Sequence, residues 1–170
     1  KDIEPLYKNM GLCLCDITVL KIEAIVNAAN SSLLGCFIPN HSCIDNAIHS
    51  EAGIRLRLKC HEIMNGEEEK TGSAKLTRAY NLPSKFVIHT VGPIVLNKLT
   101  RKNCQDLEKC YFSCLEIARE QNIRTIAFPA ISTGVFHFPK EEASKIAIET
   151  VLKYIEEYPM AFDKIVFCVF

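Results

Sequence analysis

Three side chains in one short stretch have the chemistry of a metal site. Cys36, His41 and Cys43 form a C-x4-H-x-C cluster. Thiolate and imidazole are good zinc ligands, and Pro39 stiffens the loop between them. Three protein ligands leave a fourth coordination position open, the arrangement of a catalytic zinc rather than a structural one. Two other readings stand beside this one. The three can be incidental loop residues with a thiol pair, or a structural zinc can be closed by His49, Cys60 or His61. Cys60 falls on an apolar helical stripe and is expected in the core.

A second stretch has the chemistry of an anion site. Pro129-Ala130-Ile131-Ser132-Thr133-Gly134-Val135-Phe136 follows a strand-like run and precedes a helix-like one. Gly134 permits close approach of backbone to a ligand, and Ser132 and Thr133 add hydroxyl donors. Consecutive N–H groups here can form a concave anion site, aided by the following helix N-terminus. The alternative is an ordinary strand-to-helix turn with a capping hydroxyl. The loop is neither a Walker loop nor a GxGxxG fingerprint, so by itself it names no ligand.

Val26-Asn27-Ala28-Ala29-Asn30-Ser31-Ser32 puts two asparagines and several small residues at a strand end. Small side chains leave room for a ligand, and a carboxamide suits sugar hydroxyls because it both donates and accepts. An Asx-rich turn is the competing explanation. Asp16 ends the first strand-like run, where its carboxylate can accept from an exocyclic amine or cap a turn.

The elements that must position these residues alternate. Strand-like runs are Leu12–Ile17, Ala24–Asn27, Phe86–Thr90, Thr125–Pro129 and Ile165–Val169, each short and rich in β-branched, aromatic or cysteine residues. Helix-like runs lie between them. One starts near Ser42 and carries a single stripe of Ile44, Ile48, Ala52, Leu56 and Cys60, stopping at Gly66. The next covers about Cys104–Gln121. The last covers about Lys140–Tyr158, with Glu141 and Glu142 in its first turn and Pro159 after it. This order predicts a three-layer α/β/α domain around a mixed, mostly parallel sheet, with ligands beyond the carboxyl ends of the strands. Cys13, Cys15, Cys110, Cys114 and Cys168 read as buried thiols of a reducing, cytoplasmic environment. His89 reads as a core histidine with a satisfied hydrogen bond, and His137 as a solvated loop residue.

The chain has 170 residues, which suits a single domain over 1–170. It begins at a lysine, leaving room for a trimmed extension, and no signal-peptide pattern opens it. Lysine plus arginine and aspartate plus glutamate number 20 each, so no excess basic charge recruits nucleic acid. No apolar run approaches a membrane span. An anionic ligand would be held locally, by backbone amides.

Taken together, these segments resemble the macrodomain family, and the MacroD-type hydrolases within it. The stretches that carry the resemblance are Asp16-Ile17-Thr18, Val26 through Gly35, Ala52-Gly53, Thr71-Gly72-Ser73-Ala74, Ala79-Tyr80-Asn81-Leu82-Pro83, Val87 through Pro93, and Phe128 through Phe136. They cover nearly the whole chain in order.

The resemblance implies the macrodomain fold with ADP-ribose in a cleft at the strand ends. It implies that Asp16 binds the adenine amine with Ile17 beside it, and that Asn30 binds the distal ribose. Ser132, Thr133, Gly134, Val135 and Phe136 would cradle the diphosphate. Cys15 stands where the family usually has glycine. After Leu33-Leu34-Gly35 the usual glycine-rich segment is replaced by Cys36 through Asn46, which looks like the variant of zinc-containing microbial macrodomains. Cys36, His41 and Cys43 would then hold Zn2+ at the distal ribose, with Ile44, Asp45 and Asn46 also contacting ligand. The implied activity is removal of mono-ADP-ribose from modified protein side chains, with Asn30 and Asp45 as catalytic residues. Asp45 can instead cap the helix that starts at Ser42. Rival functions on the same pocket are a non-catalytic ADP-ribose reader and an O-acetyl-ADP-ribose deacetylase.

Overall fold

A computed structural model describes residues 3–169. Seven strands form one sheet in the order β1-β2-β7-β6-β3-β5-β4. They are β1 (Glu4–Tyr7), β2 (Met10–Leu14), β3 (Ala24–Ala29), β4 (Ala74–Arg78), β5 (Phe86–Val91), β6 (Thr125–Phe128) and β7 (Lys164–Val169). The inner strands β2, β7, β6, β3 and β5 pair parallel, and the edge strands β1 and β4 pair antiparallel to β2 and β5.

The parallel strands are apolar on both faces because helices cover both. Alternate residues divide between two cores. Val26, Ile88, Ile126 and Ile165 pack with α3 (Arg101–Glu120) and α4 (Lys140–Glu157). Their chain neighbours Ile25, Val87, Ala127 and Val166 pack with α1 (Ile44–Ala52) and α2 (Ile54–Met64). The result is the three-layer α/β/α arrangement with a mixed sheet. Cys13, Cys15, Cys110, Cys114 and Cys168 are all buried in these two cores or at their margin, and Cys60 is buried on the α2 side.

Several boundaries differ from the sequence reading. The single helix expected from Ser42 to Gly66 is two helices, because Gly53 takes a φ of 82° that no helix admits. The apolar stripe survives because Ile48, Ala52, Leu56 and Cys60 still face one core. The run Leu12–Ile17 stops as a strand at Leu14, and Ile17–Val19 forms a short 3-10 turn capped by Asp16. β3 runs two residues past Asn27. α3 starts one turn before Cys104, where Thr100 and Asn103 form a reciprocal capping box. The edge strands β1 and β4 were not anticipated. Edge strands carry fewer buried positions, and β4 has mostly half-buried residues. No helix among the described residues is long and apolar enough to cross a membrane.

Candidate functional site

The carboxyl ends of the five parallel strands open into a cavity of about 820 Å³. That volume suits a nucleotide-sized ligand. Strand order sets the layout. Asp16, Ile17 and Cys168 follow or end β2 and β7 and line one end. The loop after β6, residues 129–136, lines the middle. The loop after β3, with Asn40, His41, Ser42 and Cys43, lines the other end, together with Ile44, Asn46 and Ala47 of α1. No lysine or arginine lines it.

The middle loop leaves several of its backbone donors unengaged. Thr133 N–H donates to Ala130 O, His137 N–H to Gly134 O and Phe138 N–H to Ser132 O. Among the described residues the N–H groups of Ser132, Gly134, Val135 and Phe136 donate to no protein acceptor. Four unengaged amides around one turn form an anion cradle. Thr133 contributes less than expected, because its hydroxyl donates back to Ala130 O at 2.9 Å. Ser132 Oγ is buried without a protein partner. Close backbone approach is required at Gly92, where an added Cβ would lie 2.0 Å from Ser132 Oγ. At Gly134 an added Cβ meets no protein atom, so the room it leaves is room for ligand. Gly92 lies in the quoted Val87–Pro93 stretch without a role assigned to it. A glycine between a strand end and a proline was the available signal.

At the first end, Asp16 Oδ1 accepts from Thr18 N–H at 2.9 Å and Thr18 Oγ1 at 2.7 Å. Asp16 is thus both a cap and a wall of the cavity, and Oδ2 is the oxygen left to a ligand.

At the other end, the zinc-type side chains converge. The ligand atoms of Cys36, His41 and Cys43 all lie within 4.8 Å of one another. Cys36 Sγ is 3.3 Å from His41 Nδ1, close to the ~3.5 Å that two ligands of one tetrahedral zinc would show. Burial pushes the Cys43 thiol up, Asn46 N–H draws it back, and the adjacent Cys36 pushes it further up. A cation among these sulfurs would relieve that. Cys43 also caps α1, its Sγ accepting from Asn46 N–H at 3.4 Å. Asn46 Nδ2 donates to Ile38 O and His41 O, which ties the loop to the helix. Of the proposed fourth ligands, His49 and Cys60 belong to a separate buried group with His89, and His61 joins neither. The donor set is therefore three side chains of the right chemistry, with His41 and Cys43 facing the cavity.

Asn30 and Asp45 stand behind the cavity wall rather than in it. Asp45 is buried, its Oδ1 accepting from Asn27 Nδ2 at 2.8 Å and its Oδ2 from Asn30 Nδ2 at 3.4 Å. Burial raises its carboxyl above the ordinary range, against the lowering effect of Asn27 and of the Arg57 charge. Asn30 also holds its own loop, accepting from Ser32 N–H and Oγ and donating to Gly35 O. Asn27, read as a strand-end residue, is fully buried and bridges Asp45 to His89 Nδ1 at 3.2 Å. His89 Nε2 meets Thr77 Oγ1 at 3.0 Å, so it is the satisfied core histidine expected. His137 is exposed and off the cavity wall. Burial pulls His49 down to about 4 and His89 to about 3.

The fold and the site together define the class, and comparison with known proteins agrees. The macro domain model matches residues 26–147, and the chain belongs to that family. A protein-ADP-ribose hydrolase of Staphylococcus aureus (strain MRSA252) is 52% identical over 174 residues, covering 100% of this chain and 65% of the relative. The chain thus spans 65% of that relative's length. The Oceanobacillus iheyensis macrodomain with ADP superposes with a TM-score of 0.86 at 37% identity, covering 99% of this chain and 86% of that one. The Trypanosoma brucei macrodomain in complex with ADP-ribose gives a TM-score of 0.80 at 36% identity, covering 94% and 63% of the two chains.

Proposed function

We propose that this chain removes mono-ADP-ribose from modified protein side chains and that it uses zinc to do so. One observation carries the reading: an amide-lined anion cradle and a Cys-His-Cys group open into the same cavity, side by side. The similarity to a protein named for ADP-ribose hydrolysis, and to macrodomains solved with ADP and ADP-ribose, supports it.

The amides of Ser132, Gly134, Val135 and Phe136 bind the diphosphate, at the N-terminal side of α4 and beside that of α1. Asp16 Oδ2 accepts from the adenine amine. With the nucleotide fixed at those two points, its terminal ribose falls at the loop after β3, against His41 and Cys43. Cys36, His41 and Cys43 would hold the zinc there, and the ion would supply Lewis-acid polarisation of oxygen at the sugar. Asn30, Asp45 and Asn27 fix the loop that carries these residues. Fixing the nucleotide makes attack by water effectively intramolecular. The reaction adds water across the bond from the ribose to the side chain, releasing ADP-ribose and the restored side chain. The partner is therefore a mono-ADP-ribosylated protein. The cytoplasmic location belongs to the same proposal.

A second reading has one observation in its favour. Asp45 is buried behind the wall, so among the described residues no carboxylate lines the sugar end to act as base. That favours a reader that binds and does not cleave. Incubating a mono-ADP-ribosylated protein with wild type and with Cys36→Ala, His41→Ala and Cys43→Ala decides between them. The hydrolase reading predicts label release by wild type that falls at least 100-fold in all three variants, with zinc content, while ADP-ribose binding persists. Label that persists with wild type despite tight ADP-ribose binding would establish the reader.

A further inference from the structure

The loop that carries the zinc-type side chains also carries two large apolar residues held out in solvent. Phe37 is 66% exposed and Ile38 is 60% exposed. They sit between Cys36 and His41, on the loop whose Asn40, His41 and Cys43 line the cavity, and Ile38 O accepts from Asn46 Nδ2 of α1. They are not loosely placed. The Phe37 ring lies over the Arg57 guanidinium at 4.5 Å, and Ile38 O also accepts from His41 N–H. On a second segment bordering the cavity, Val95 N–H donates to Phe136 O, which keeps residues 94–96 beside the loop after β6. Ile94 and Leu96 there are 51% and 85% exposed, and Val135 of the loop itself is 56% exposed. Large exposed apolar residues on three segments that border one cavity point to an interaction surface rather than ordinary scatter.

We propose that Phe37 and Ile38, together with Ile94 and Leu96, form an apolar lip that docks the polypeptide flanking the ADP-ribosylated side chain. This rests on the functional reading above, because it needs the modified side chain to leave the cavity at the loop after β3. The layout of the sheet supplies the direction. With the diphosphate on the loop after β6 and adenine at Asp16, the bond to the protein emerges beside Cys36–Cys43. The occupant is then the segment bearing that bond. Its continuity with the ligand cavity is what selects it over any other partner. An apolar lip recognises apolar residues on either side of the modified position, and burying them against Phe37 and Ile38 supplies affinity that free ADP-ribose lacks.

The test uses short synthetic peptides that carry ADP-ribose on one glutamate, flanked either by leucine and phenylalanine or by serine and glycine. Wild type is compared with the Phe37→Ser/Ile38→Ser double variant and with Leu96→Ser, with zinc content and the affinity for free ADP-ribose measured on each. Wild type is expected to show a KM at least tenfold lower for the apolar-flanked peptide. The double variant is expected to lose that preference and Leu96→Ser to weaken it, with free ADP-ribose affinity and turnover of O-acetyl-ADP-ribose within twofold of wild type. Equal KM for both peptides with wild type, or a preference that survives the double variant, overturns the lip. If wild type cleaves neither peptide, the hydrolase reading has failed, and the same preference is read from dissociation constants instead. Leu96→Ser, which lies far in sequence from the metal loop, keeps the test decisive if the double variant loses zinc.

Discussion

Gly92 lies so close under Ser132 that a methyl group on it would fall 2.0 Å from Ser132 Oγ and 2.9 Å from Ile131 Cγ2. The end of β5 therefore packs directly against the side chains that begin the loop after β6. Gly92→Ala must turn or displace the Ser132 and Ile131 side chains, and the proposed anion cradle with them. The expected result is ADP-ribose affinity at least tenfold weaker, about 1.4 kcal/mol, measured by titration calorimetry, with the far-ultraviolet spectrum unchanged. Unchanged affinity would mean that the loop adjusts without cost.

Asn27 joins two buried titratable groups, donating to Asp45 and meeting His89 Nδ1. Since its Nδ2 donates to Nδ1, neutral His89 carries its proton on Nε2, towards Thr77 Oγ1. Asn27→Ala removes both bonds, taking the Asn27 donor from Asp45 Oδ1 and from His89 Nδ1 inside the core while Asn30 Nδ2 still donates to Asp45 Oδ2. Urea unfolding is expected to register a loss of about 3 kcal/mol. A loss under about 1 kcal/mol would contradict the network.

Stability is expected to fall with acid before carboxylates titrate. His49 and His89 have folded values of about 4 and about 3 against an ordinary 6.5, chiefly through burial. Above pH 6.5 both states bind the same number of protons at these rings. Below it the unfolded chain takes protons that the folded chain refuses, so stability is lost as pH falls. At pH 5 the loss is about 2 kcal/mol per histidine. Urea midpoints between pH 7.5 and 5.0 measure it, and a flat profile would refute the assignment. Asp45, raised by burial, works in the opposite sense.

Gly53 separates α1 from α2 with a φ of 82°, and a Cβ there would meet Asn81 Nδ2 at 2.7 Å. Gly53→Ala should lower stability by about 1–2 kcal/mol, read from thermal unfolding. A more stable variant would show that the two helices merge without strain.

The sheet and both helical layers were legible because the inner strands alternate between two apolar cores and the helices carry clean stripes. The break at Gly53 was hidden by that same stripe. Ile48, Ala52, Leu56 and Cys60 keep a four-residue rhythm across the joint, and periodicity does not register a change of backbone hand. Strands β1 and β4 were invisible because an edge strand buries too little to leave a pattern. At the site, Cys36, His41 and Cys43 stood out by type and spacing, and the fold does bring their ligand atoms within 4.8 Å of one another. The placement of Asn30 and Asp45 was not, since whether a carboxylate faces the cavity or backs onto Asn27 depends on tertiary packing. Gly92 was missed as a site residue for the same reason: its role exists only against Ser132, 40 residues away.

The central claim is that one cavity holds a nucleotide diphosphate on backbone amides and a zinc ion against its terminal sugar. Crystals grown with ADP-ribose, with diffraction recorded above and below the zinc absorption edge, test it most directly. The account predicts one anomalous peak bounded by Cys36, His41 and Cys43, with the diphosphate on Ser132–Phe136 and the terminal ribose beside the peak. An absent peak, an ion enclosed by four side chains, or a terminal ribose lying at Asp16 would contradict it.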